Sequence, residues 1–179
     1  MPFKHVALLG LGLIASSIAL ALRSKTLDIK ITGYSRSRKT RNQAKKIDFC
    51  EVFNTIEGCV KGADLIVLCV PVGAMQATME AAAPYLEKGA VVTDVGSVKS
   101  NVIKAINPII PEGIFFVPAH PIAGTENSGP KAGFAELFNG RWCILTPTSE
   151  TPVRVINKIR DFWTLLGADV QEMDAIHHD

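Results

Sequence analysis

The chain has 179 residues, 47% of them hydrophobic, 20% charged and 7% aromatic, which supplies one ordinary core and leaves too little length for two full-sized domains. That balance excludes a disordered, collagen-like or disulfide-stapled chain. The net charge of +2 is uneven, because Arg36, Arg38, Lys39, Arg41, Lys45 and Lys46 crowd one acid-free stretch and the remainder holds 13 basic against 17 acidic residues, so a general polyanion-binding surface is disfavoured.

The first apolar stretch, HVALLGLGLIASSIALAL, is interrupted by two glycines and two serines. It therefore reads as strand, turn and helix rather than as a membrane or secretory segment, and a cytoplasmic protein is expected. Residues 5–9 are predicted as a strand, 10–12 as a turn and 13–23 as a helix. A strand over 29–34, a helix over 38–46 and a short strand over 51–54 follow. Residues 65–70 (LIVLCV) are apolar at every position, as a parallel strand covered on both faces must be. A helix over 72–85, a strand over 90–95, a helix over 99–106 and a strand over 114–117 complete the alternation. Such alternation implies right-handed crossovers and an α/β, doubly wound, mostly parallel sheet.

Residues 118–140 read as one long connection punctuated by Gly124, Gly129, Gly133 and Gly140, and connections of that length are usually functional. A strand over 142–145, an amphipathic helix over 152–166 opened by Thr151, and a strand over 169–171 are predicted next. The last residues, DAIHHD, are polar and show no turn or cap signal. The expected division is a domain over 1–173, with 174–179 starting a linker. Cys50, Cys59, Cys69 and Cys143 lack metal or redox spacing, so reduced, partly buried thiols are expected.

GLGLIA, residues 10–15, follows the first strand and opens the first helix, matching the glycine fingerprint of the Rossmann fold. Gly10 permits the tight turn, Gly12 lets the backbone approach a pyrophosphate, and Ala15 keeps the helix close to the sheet. The amides of the first helical residues, Leu13 and Ile14, supply an anion site without a basic side chain. Taken alone, the pattern could be a plain tight turn. At the end of the second strand, where an NAD site places a carboxylate against the ribose, stand Ser35 and Arg36. Ser35 can donate to a 2′-phosphate, and Arg36 or Arg38 can pair with it or stack on adenine, so NADP is favoured over NAD. A solvated surface is the plainer reading of these residues. Val70, Pro71 and Val72 after the fourth strand, and Gly96 and Ser97 after the fifth, belong to the carboxyl edge where ligands bind in such sheets.

The sixth strand runs into PAHPIAGTENSG, which presents His120 among small residues and prolines. A lone histidine is more often structural, but the carboxyl edge of the sheet makes His120 the candidate base. His5 is expected to pack inside the first strand. His177 and His178, as adjacent residues, are expected to diverge, and no metal site is expected.

GLGLIASS, VPV at residues 70–72, DVGSVK at 94–99, HPIAGTENSG at 120–129 and the closing DAIHHD together resemble the prephenate and arogenate dehydrogenases of tyrosine biosynthesis. The resemblance implies a cofactor-binding domain followed by an all-helical domain that forms a homodimer and closes the site. That second domain is not expected within these 179 residues, so the chain by itself should bind dinucleotide but turn over poorly. It further implies a small cyclohexadienyl substrate, with His120 taking the proton of the ring hydroxyl while hydride leaves the same carbon. Carbon dioxide is then lost. Ser97 would hold that hydroxyl or orient His120, and could equally be the N-cap of its helix. Thr125 and Glu126 would lie in the loop that floors the substrate pocket. The Ser35 corner departs from the Asp of many members. A β-hydroxyacid dehydrogenase or imine reductase would share the architecture without the HPIAGTE loop. A dinucleotide-sensing module would bind without catalysis, and nucleic-acid binding through residues 36–46 lacks aromatics and a recognition motif. No membrane partner is expected.

Overall fold

In the computed structural model, which describes residues 1–25 and 28–179, the first two-thirds of the chain alternate strand and helix. The strands are β1 (His5–Leu9), β2 (Lys30–Tyr34), β3 (Glu51–Val52), β4 (Leu65–Leu68), β5 (Val91–Asp94) and β6 (Phe115–Val117). They form one parallel sheet in the order β3-β2-β1-β4-β5-β6. The winding reverses between β1 and β4, which opens a crevice at their carboxyl ends. Register reinforces that edge, since Leu9 pairs with both Tyr34 and Leu68.

Side chains alternate across the sheet, so its apolar strands feed two cores. Val6, Leu8, Leu65 and Val67 point to one face, where α1 (Leu13–Ser24) and α6 (Val153–Leu165) pack. Ala7, Leu9, Ile66 and Leu68 point to the other, against α4 (Val72–Ala82) and α5 (Ser100–Ile106) through Met75, Met79, Val102 and Ile106. Each large apolar side chain buried this way contributes roughly 1.5–3 kcal/mol. The polar Ser16 of α1 is tolerated in the first core because its hydroxyl donates to the carbonyl of Gly12 at 2.8 Å.

Several boundaries differ from those expected. β3 stops at Val52, because Thr55 accepts from the Gly58 amide at 3.1 Å and starts a short helix, α3 (Ile56–Val60), too brief for periodicity to reveal. The predicted helix over 72–85 is regular only to Ala82, with Pro84 in a closing 3₁₀ turn. α2 spans Arg38–Ile47. α6 has Pro152 at its N-cap position, while Thr151 is engaged with the hydroxyl of Thr148 at 3.3 Å and does not open the helix.

The long connection is not wholly irregular. Pro118 breaks the ladder after β6, and β7 (Ala119–Pro121) begins a second sheet, antiparallel to β8 (Trp142–Leu145), which runs parallel to β9 (Asp169–Glu172). The three late strands thus form their own sheet rather than extending the first. The polar end also departs from expectation: Asp174 caps α7 (Ala175–His178) by accepting the His177 amide at 2.9 Å.

Candidate functional site

A cleft of about 1000 Å³ opens along the carboxyl ends of β1, β2, β4 and β5. Its floor is the glycine turn. Gly10 sits at φ +98°, and its amide donates to the Tyr34 carbonyl at 2.8 Å. A Cβ there would lie 2.8 Å from the Cys69 carbonyl carbon and the Val70 nitrogen, whereas one on Gly12 would meet no protein atom within 4 Å. The two glycines therefore do different work. Gly10 is required by the fold, while the space over Gly12 fits a pyrophosphate laid against the start of α1. Gly10→Ala should destabilise the protein by about 1–3 kcal/mol. Gly12→Ala should leave the melting temperature near the parent's while weakening dinucleotide binding at least about tenfold. Thermal melts and calorimetric titration of both variants check this.

At the end of β2, the Arg41 guanidinium donates to the carbonyls of Ser35 at 2.7 Å and Arg36 at 3.0 Å and lies 6.0 Å over the Tyr34 ring. Ser35, Arg36, Ser37 and Thr40 form this wall, and among the described residues no carboxylate lines the cleft. Arg38 is exposed outside the wall, and the Ile14 side chain packs against the first core while its amide stands in the first turn of α1. Leu13, Val70, Pro71, Val72, Gly96 and Ser97 line the cleft with the glycines. All four thiols are reduced, and burial raises each, Cys50 and Cys59 to about 12, so they stay protonated.

Beyond β5 lies a feature that sequence reasoning missed. Asp94 and Lys99 form a fully buried ion pair. The Asp94 carboxylate also accepts from the amides of Gly96 at 2.8 Å and Ala119 at 3.1 Å, and the Lys99 ammonium donates to the Ala119 carbonyl at 2.8 Å. Burial pushes the Asp94 carboxyl up and the Lys99 ammonium down, and their contact opposes both. The pair grips Ala119 from both sides and so fixes the backbone next to His120. Five residues of separation with opposite charge was the available signal, but in a helix start it reads as solvated.

His120 is half-buried in β7, opposite Ile144. Its Nδ1 is 2.8 Å from Nε2 of His178. Burial, then the neighbouring His178 and Lys99, lower its pKa to about 4, so the ring is neutral near neutrality. Ser97 is exposed and precedes α5, whose N-cap position is Lys99. The capping role considered for Ser97 is therefore wrong, because the α5 amides at Lys99 and Ser100 are taken at 2.8 Å by the Asp179 carboxylate. Thr125 and Glu126 are exposed on a loop where Thr125 Oγ1 accepts the Asn127 amide at 3.1 Å, and residues 127–129 line the cleft. A smaller cavity of about 340 Å³ joins His120 to residues 121–124 and Arg141. His5 packs as expected and bonds the Thr32 hydroxyl at 2.9 Å. Among the described residues no helix is long and apolar enough to cross a membrane.

Comparison with known proteins supplies the relatives of this arrangement. The profile of the prephenate dehydrogenase nucleotide-binding domain matches residues 18–172. The cyclohexadienyl dehydrogenase of Zymomonas mobilis is 45% identical over 178 residues, 99% of this chain and 60% of its own length. The crystal structure of Aquifex aeolicus prephenate dehydrogenase in complex with hydroxyphenyl propionate and NAD+ superposes with a TM-score of 0.90 at 30% identity, over 98% of this chain and 61% of that one. Synechocystis arogenate dehydrogenase gives 0.89 at 28% identity, over 98% and 61%. The chain spans about one-third to three-fifths of the length of the curated relatives it matches.

Proposed function

The chain belongs to the prephenate dehydrogenase family by its nucleotide-binding domain, and from this premise we propose that it is the cofactor-binding part of a prephenate or arogenate dehydrogenase of tyrosine biosynthesis. The observation that carries this reading is His120, a half-buried imidazole next to the Ala119 backbone that the Asp94–Lys99 pair clamps, at the carboxyl edge of a sheet whose glycine turn leaves room for a dinucleotide. The names of the relatives support it, as does the NAD+ and hydroxyphenyl propionate complex of the Aquifex protein.

A nicotinamide dinucleotide bound in the cleft would supply the hydride acceptor. Gly12 and the α1 amides would hold its pyrophosphate over the turn that Gly10 closes, and Ser35 with Arg36 would hold its ribose end. His120 takes the proton of the substrate's ring hydroxyl as the carbinol carbon gives up hydride, which requires hydrogen-bond reach to that oxygen. Ser97, on the cleft wall, is the group proposed to orient the hydroxyl, with Thr125 and Glu126 on the substrate side. Loss of carbon dioxide then aromatises the ring. The site is completed by a helical region that forms a homodimer in the cytoplasm.

NADP is proposed to bind more tightly than NAD, because the ribose wall offers hydroxyls and Arg36 with no carboxylate to repel a 2′-phosphate. Ser35→Asp should reverse the order. Titrating both cofactors into parent and variant checks it, and a severalfold NAD preference in the parent would contradict it. The function itself is tested by steady-state kinetics of the full-length protein with prephenate and arogenate against both cofactors. Turnover of at least one substrate is expected, and turnover of neither would overturn the reading.

A further inference from the structure

Two adjacent side chains, His178 and Asp179, meet behind the candidate base. His178 Nε2 lies 2.8 Å from His120 Nδ1, and the two rings cross edge to face at 69° with centroids 5.1 Å apart. His178 Nδ1 lies 2.8 Å from Oδ1 of Asp179. The Asp179 carboxylate in turn accepts the amides of Lys99 and Ser100, each at 2.8 Å.

The direction of every bond in this chain follows from Asp179. Its carboxyl is held well below the ordinary range by the amides and the imidazole that donate to it, so it stays ionised and can only accept. His178 must then donate through Nδ1. An imidazole that donates through Nδ1 in its single-proton form has a bare Nε2 that can only accept, and in that arrangement the proton shared between the rings sits on His120 Nδ1. That leaves the lone pair of His120 on Nε2, which has no protein partner among the described residues.

We infer that His178, fixed by Asp179, is a positioning residue that selects the tautomer of His120 in which Nε2 is the proton acceptor. This rests on the proposal that His120 is the base. In the step, the hydroxyl O–H bond breaks and its proton goes to His120 Nε2. The electron pair left on oxygen becomes the carbonyl π bond as hydride departs the same carbon to the nicotinamide. The resulting imidazolium keeps its Nδ1–H bond to His178, so nothing has to turn over during the step, and the charge that develops faces the Asp179 carboxylate through one ring. The other charged groups facing the pair are Lys99, ahead of α5, and Arg141, on the cavity wall shared with His120.

The arrangement also explains why Asp179 is worth placing at the start of α5. One carboxylate satisfies two orphan amides of the helix and aims His178, which ties the positions of the Lys99 backbone and the base together.

The test uses the full-length protein with His178→Phe and His178→Gln. Phe keeps the ring volume and removes the acceptor, whereas Gln can present an amide oxygen where Nε2 stood. His178→Phe should lower kcat about 10–100-fold, less than the roughly 10²–10⁴-fold of a lost base because a fraction of His120 keeps the productive tautomer, with KM and cofactor affinity nearly unchanged. His178→Gln should recover most of that loss. The decisive readout needs no turnover: ¹⁵N chemical shifts of labelled His120 at mildly alkaline pH should report a protonated Nδ1 and a bare Nε2 in the parent, and a mixture of tautomers in His178→Phe. A parent His120 protonated at Nε2, or a His178→Phe variant within twofold of the parent kcat, would overturn the inference. If the tautomer is as stated but the parent oxidises no cyclohexadienyl substrate, it is the functional proposal that fails.

Discussion

Replacing His120 by Asn in the full-length enzyme is expected to lower turnover about 10²–10⁴-fold, the usual contribution of a general base. Asn is the informative choice because its amide nitrogen can stand where Nδ1 stands and still donate to His178, while nothing remains at the Nε2 position to take a proton. Cofactor affinity should barely change, since His120 does not line the dinucleotide cleft. A merely structural histidine would behave otherwise. Its loss would lower the melting temperature and dinucleotide binding together, and activity would track the folded fraction. Measuring melting temperature, cofactor affinity and turnover on one preparation separates the cases, and turnover within about threefold of the parent, far short of the effect of a lost base, would remove His120 from the mechanism.

Lys99→Met should be the most destabilising single substitution near the site. It removes the ammonium from a pair with no exposed surface, leaving the Asp94 carboxylate buried with only the amides of Gly96 and Ala119, and leaving the Ala119 carbonyl without the ammonium that it accepts from. Breaking a buried pair in this way costs about 3–5 kcal/mol. Replacing both partners, as in Asp94→Leu with Lys99→Met, should recover much of the stability, because no uncompensated charge remains. The double variant should nevertheless stay poorly active, since the clamp on the backbone beside His120 is gone. Urea denaturation of the two single variants and the double variant checks the first part, and a Lys99→Met loss under about 1 kcal/mol, well below that expected for a broken buried pair, would show that the pair is not buried in solution.

What could be read from the sequence was what is local. β1, the glycine turn and α1 announce themselves within twenty residues, and the apolar run at residues 65–70 reads as a strand covered on both faces, of which Leu65–Leu68 is the regular part. Position at the carboxyl edge of the sheet singled out His120 and Ser97, and the family resemblance then gave them roles in a reaction. Features that depend on distant pairing were not legible. β7 is three residues long and exists because β8 pairs with it, with His120 opposite Ile144. α7 reads as a polar tail because its stabilising contacts lie with α5 and with His120, 58 residues away from His178. Lys99 looks like an ordinary solvated lysine at a helix start, and only the tertiary fold shows that the chain closes over it. The carboxylate of Asp179 does the capping that Ser97 was considered for, and no spacing rule links residues 80 positions apart.

The most direct test of the account follows the fate of one hydrogen. The full-length protein would be given prephenate or arogenate carrying deuterium on the carbinol carbon, with NADP and NAD in turn, and the reduced cofactor and released carbon dioxide would be quantified together. The account predicts deuterium at C4 of the reduced nicotinamide and one carbon dioxide for each hydride transferred, with both signals falling in parallel in His120→Asn. Reduced cofactor without deuterium, or without carbon dioxide, or undiminished in His120→Asn, would contradict it.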